Sequence, residues 1–238
     1  MRRSIFYNFA TNVALCAIVL SIGAVCLLPQ GEAVATDGGE PTVYRSAGKD
    51  TGAVSLMFNV YWGTEEVYAI LDILDEYEAK STFFIGGSWA DDNVECLKEI
   101  ASRGHELGNH GYFHKDHKKL DETANRREIE NCNQFISLAT GVTPTLFAPP
   151  SGSYGKAALE AAAALKMKTI LWSKDTIDWR DKDETLVYKR ATENISGGDF
   201  ILMHPMQATK AALPKILQYY RENDLKAVTV TQNLQKEG

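Results

Sequence analysis

The sequence predicts a single α/β domain whose parallel sheet curls into an incomplete (β/α)7 barrel. Short apolar runs alternate with amphipathic segments through 53–238, the pattern of strands joined by right-handed helical crossovers. Gly104, Gly141 and Gly197-Gly198 fall just past amphipathic segments, where a left-handed residue ends a helix. Polar and aromatic residues gather directly after the apolar runs, which places them on the rim where such sheets carry their sites.

Ala53–Phe58 is apolar enough for a first strand. Glu65–Ala79 follows as a helix, with Thr64 as its cap, Glu65 and Glu66 in the first turn, and Val67, Ile70, Leu71 and Leu74 on one face. Further strands are expected at Thr82–Ile85, Glu106–Asn109, Thr145–Ala148, Thr169–Trp172, Phe200–Met203 and Ala227–Val230. Helices are expected at Asp92–Arg103, Glu122–Thr140, Lys156–Lys166, Glu184–Asn194 and Thr209–Glu222.

Ahead of this domain, Arg2 and Arg3 precede an apolar run from Val13 to Leu28, followed by Ala33-Val34-Ala35. A basic start, an apolar middle and a small-x-small ending are the parts of an export signal. The run is slightly short of the roughly 20 residues that span a bilayer. Residues 1–35 are therefore a signal peptide or an N-terminal membrane anchor, and 36–52, rich in Gly, Thr, Ser and Asp, a linker. The expected location is secreted or cell-envelope.

A net charge of −6 and the lack of a basic stripe exclude a nucleic-acid footprint, and only the N-terminal segment suggests a membrane. Cys96 and Cys132 are the two cysteines of the domain. An oxidising compartment permits their pairing, and two separate buried thiols fit equally well.

The rim collects Asn59, Val60, Tyr61 and Trp62 after the first strand, and His110 and His114 after the third. Pro149-Pro150-Ser151-Gly152 follows the fourth, Asp175, Asp178 and Trp179 the fifth, and His204-Pro205 the sixth. Histidines four apart share a face once the chain turns helical, which suits a metal ion. His105 precedes its strand and is structural.

In this order the motifs resemble the NodB-like polysaccharide deacetylases, and most of all their sporulation-associated branch, over roughly residues 43–234. Phe58-Asn59-Val60-Tyr61-Trp62-Gly63 stands where that branch has Phe-Asp-x-x-Trp-Gly. Gly104-His105-Glu106-Leu107-Gly108-Asn109-His110 with His114, Phe147-Ala148-Pro149-Pro150-Ser151-Gly152, Trp172-Ser173-x-Asp175-x-x-Asp178-Trp179 and Ile201-Leu202-Met203-His204 complete the series. The resemblance implies metal-dependent removal of N-acetyl groups from an amino-sugar polysaccharide such as peptidoglycan or chitin. Its cofactor is a divalent metal ion, zinc first, held by His110 and His114. His204 is implied as the acid that protonates the leaving amine, Asp175 as its orienting partner, and the turn at Ser151-Gly152 as the oxyanion site. Tyr61, Trp62, Pro150, Ser151, Gly152 and Trp179 would line the substrate cleft.

The chain departs from the family at the centre of this site. Asn59 occupies the catalytic-base position, Val60 the position of the third metal ligand, and Ala148 the position of the arginine that tethers the base. A carboxamide takes no proton at physiological pH and ligates poorly. Joint loss of Asp and Arg is electrostatically consistent, because a buried charge stripped of its partner costs about 3–5 kcal/mol. Asp116 or His117 could supply a substitute ligand. Two functions stay open: an exported hydrolase, weak or inactive through these changes, and a catalytically silent relative that binds glycan in wall or spore assembly.

Overall fold

The computed structural model describes residues 42–48 and 50–235. The expected signal or anchor at 1–35 lies outside them. Among the described residues no helix is long and apolar enough to cross a membrane. The strands are β1 (Val43–Tyr44), β2 (Ala53–Val60), β3 (Thr82–Ile85), β4 (Glu106–Asn109), β5 (Leu146–Phe147), β6 (Lys168–Ile170), β7 (Lys174–Asp175), β8 (Phe200–Met203) and β9 (Lys226–Ala227). The helices are α1 (Thr64–Glu76), α2 (Gly87–Asp92), α3 (Val94–Ser102), α4 (Glu122–Thr140), α5 (Lys156–Ala164), α6 (Asp178–Asp181), α7 (Glu184–Thr192), α8 (Gln207–Glu222) and α9 (Val230–Gln235).

The strands form one curled parallel sheet in the order β1-β6-β5-β4-β3-β2-β8-β7, with β9 on the start of β2. This is an incomplete barrel, the form that fits the expected alternation. Its centre is β2, buried at every residue, as a strand covered on both faces must be. Val54, Leu56, Phe58 and Val60 face the helices, and Met57 faces inward with Phe84, Leu146, Ala148, Ile170, Phe200 and Val230. Period-2 alternation sends Asn59 inward with Met57 and sends Val60 away from the cleft.

One stretch of chain serves both edges of the sheet. Lys168–Ile170 pairs with β5 and β1, and Lys174–Asp175 pairs with β8. Between them the Ser173 amide donates to the Phe200 carbonyl (3.0 Å) and its hydroxyl to Asp199 Oδ1 (2.7 Å).

Several local expectations need correction. Val43–Tyr44, read as linker, is a strand of the sheet. Thr64 is the first residue of α1 and not its cap; Gly63 holds that position at φ 76°. Any Cβ on Gly63 would come 2.4 Å from the Pro205 carbonyl oxygen, so a side chain is excluded there by space as well as by backbone. The last expected strand keeps only Lys226–Ala227, and Val230 opens a helix. Thr229 and Gln232 explain this: each backbone N–H donates to the other's side chain, at 3.1 and 3.2 Å, a reciprocal cap that starts a helix. Cys96 and Cys132 are free buried thiols, and burial pushes Cys132 up to about 12.

Candidate functional site

The strands deliver Asn59, His110, Ala148, Asp175 and His204 to one rim. His110 follows β4 and is 2% exposed. Its Nδ1–H donates to the Ala148 carbonyl at 2.7 Å, so the lone pair is left on Nε2, as in ligating histidines. Burial, aided by the nearby His114, drives its pKa down to about 3, and the ring is neutral. The His110 and His114 rings sit 5.1 Å apart at 70°.

A helical turn does not bring them together. Residues 110–116 are irregular, with Gly111 at φ 73° and His114 at φ 52°. The loop is fixed instead by Glu128 of α4, 4% exposed. Its Oε2 accepts the amides of Tyr112 (3.1 Å) and Phe113 (2.8 Å), and its Oε1 pairs with Lys115 at 2.9 Å. Tyr61 lies 4.9 Å from the His114 ring, with its hydroxyl accepting from Ser88 Oγ at 2.7 Å.

On the opposite wall the carboxylate that holds His204 is Asp178, not Asp175. Asp178 Oδ1 accepts His204 Nδ1–H at 2.7 Å, and Oδ2 accepts the His204 amide at 2.7 Å. Oδ1 also takes the Trp179 amide, and Oδ2 takes the hydroxyl of the fully buried Thr209. Asp175 turns its Oδ1 to the Ile177 amide (2.8 Å). Ile177 at φ 53° then redirects the chain into α6, which swings Asp178 under the histidine. Trp62 stacks on His204, 5.6 Å between centroids and 6° between planes. Trp62 and Trp179 are 41% and 50% exposed, as flat sugar platforms would be.

The turn Pro150–Gly152 follows β5, with Ser151 at φ 55°. A Cβ on Gly152 would meet the Trp172 ring at 2.8 Å. The Gly152 amide donates to the Pro149 carbonyl at 2.9 Å, which removes it from the oxyanion donors expected there.

The base position holds Asn59, 4% exposed, whose Oδ1 is buried without a partner. Val60 packs into the helix-side core. Neither substitute ligand joins the imidazoles. Asp116 is exposed and engaged by Ser153 Oγ (2.6 Å) and Lys119 (3.0 Å). His117 is buried with Nδ1 on Asn125 Oδ1 at 2.6 Å. Among the described residues no group of three or more His, Cys, Asp or Glu could hold a metal ion. Two imidazoles and a neutral carboxamide do not fit a retained catalytic metal, since a catalytic zinc ion takes three strong protein ligands. Sequence reasoning missed Glu128 and Thr209, whose partners, the Tyr112 and Phe113 amides and the Asp178 carboxylate, are brought near only by folding.

Comparison with known proteins agrees with this geometry. The sequence profile of the polysaccharide deacetylase family matches residues 46–170. The uncharacterized protein YlxY of Bacillus subtilis is 36% identical over 193 residues, covering 81% of this chain and 60% of its own length. A peptidoglycan-N-acetylglucosamine deacetylase of Bacillus cereus is 29% identical over 182 residues, 74% of this chain and 66% of that one. Among solved structures, a wild-type CE4 family pseudoenzyme from Bacillus anthracis superposes with a TM-score of 0.79 at 33% identity, covering 82% of this chain and 70% of that one. A mutant of it described as having restored enzymatic activity gives 0.79 at 32% identity, with 82% and 72% covered. Ordered motifs, curled parallel sheet and profile agree: the chain belongs to the polysaccharide deacetylase family.

Proposed function

We propose that this protein is a catalytically silent member of its family that binds N-acetylated amino-sugar glycan, peptidoglycan first, at the cell envelope. The observation that carries this reading is that, among the described residues, no carboxylate joins the two imidazoles in a group that could hold a metal ion. Asn59 stands in the base position with a buried, unpartnered Oδ1, and Val60 points into the core. A base alone is worth about 10²–10⁴-fold, but without a third strong ligand the nucleophile itself is lost. Trp62 and Trp179 supply apolar faces for the sugar ring. Likeness to a pseudoenzyme of known structure supports the same view.

A second reading keeps the hydrolase. It is favoured by the intact Asp178–His204 pair, which holds an acid where a leaving amine would need one, and by the deacetylases among its relatives. One experiment separates them: metal content after chelator-free purification, then calorimetry and acetate release with N-acetylglucosamine oligomers. Binding without retained metal or acetate supports the glycan-binding reading. Stoichiometric metal with steady acetate release overturns it.

A further inference from the structure

The outer face of α4 is unusual for a solvated helix. Its buried side is Asn125, Glu128, Ile129, Cys132 and Ile136. The other side carries Asn131, Gln134, Phe135 and Leu138, spaced as one stripe. Leu138 is 80% exposed and Phe113, from the histidine loop, 55% exposed. With Tyr112 these side chains line an open groove of about 340 Å3. Scattered exposed leucines need no explanation, but a continuous apolar strip flanked by amides does.

We infer that this groove is a second glycan subsite, where an amino-sugar strand seated in the cleft continues across Phe113 and along α4. Two observations select that occupant. The groove begins at Tyr112–Phe113, between His110 and His114, so cleft and groove share one loop. Glu128 bolts that loop to α4 through both amides, which keeps the two surfaces in fixed relation, so little ordering entropy is spent on binding. The chemistry matches as well. Pyranose C–H faces pack on Phe113 and Leu138, and the carboxamides of Asn131 and Gln134 offer donors and acceptors to hydroxyl and acetamido groups. No carboxylate lines the groove.

The inference rests on the glycan reading of the cleft. Its test is calorimetry of the full chain with N-acetylglucosamine dimer and hexamer. The native chain should bind the hexamer more tightly than the dimer. Phe113→Ala with Leu138→Ser should weaken the hexamer by about 3–10-fold, the range one aromatic contact supplies, and leave the dimer unchanged. Phe113→Tyr should retain hexamer affinity. A native chain that binds both oligomers equally overturns the subsite and leaves the cleft reading intact. Unchanged hexamer affinity in the double variant also overturns it. A native chain that binds neither oligomer removes both proposals.

Discussion

Asp178 holds His204 at two points, taking its ring Nδ1–H on one oxygen and its backbone amide on the other, both at 2.7 Å. The histidine is thereby fixed in tautomer and position, and a buried carboxylate with 1% exposure is satisfied. Changing Asp178 to Asn forfeits charge-assisted bonds worth about 1.5–3 kcal/mol. Asp175→Asn, whose side chain only closes a local turn, should cost below about 0.5 kcal/mol. Urea unfolding of the two variants measures the difference, and equal costs would reject it.

The family resemblance couples the Asn59 and Ala148 positions through the charges that both lack. Ala148→Arg alone places a cation in a buried, neutral pocket and should destabilise by about 3–5 kcal/mol. Adding Asn59→Asp supplies its partner, so the double variant should recover a coupling energy of about 1–3 kcal/mol. Acetate release with added zinc should rise in the double variant above either single change. Additive stabilities and no gain in acetate would reject the compensation.

Burial depresses the pKa of His110 to about 3 and of His105 to about 4. The unfolded chain therefore binds more protons than the folded one between about pH 6.5 and 3. Stability is complete above that window and falls as pH drops through it, by up to about 1.4 kcal/mol per unit for each group. His105→Gln should flatten the urea-midpoint profile by about one proton. An unaltered profile would show that His105 titrates normally in the fold.

Trp62 lies parallel on His204 and remains 41% exposed. Oligosaccharide binding should change the indole fluorescence, and Trp62→Leu should remove most of that change. Its affinity loss should be about 3–10-fold, from the aromatic contact. A full fluorescence response in the variant would move the sugar elsewhere.

Much of the fold is legible because local signals and packing agree. Thr82–Ile85, Glu106–Asn109, Phe200–Met203 and Glu122–Thr140 have the expected bounds. The first three are short runs whose burial suits either face, and the last is opened by Asp121, which caps the Ala124 amide, and closed by Gly141 at φ 76°. The two-residue strands β1 and β7 are defined by their partners and leave no periodicity to read. The Thr229–Gln232 cap was a readable signal that the apolar run Ala227–Val230 concealed. At the site, motif order locates Asn59, His110, His114 and His204 on the rim. The choice between Asp175 and Asp178 depends on one left-handed residue, Ile177, whose φ no composition announces.

Because Lys168–Asp175 joins both margins of the sheet, and Ser55 on the central strand faces Phe200, assembly must await late-made parts of the polypeptide. A nascent chain that has emerged only through α5 carries an eight-residue apolar strand with one flank unclaimed. Such long-range pairing slows folding and prolongs stickiness. Shortening the C-terminal third should therefore yield aggregates rather than a smaller stable unit.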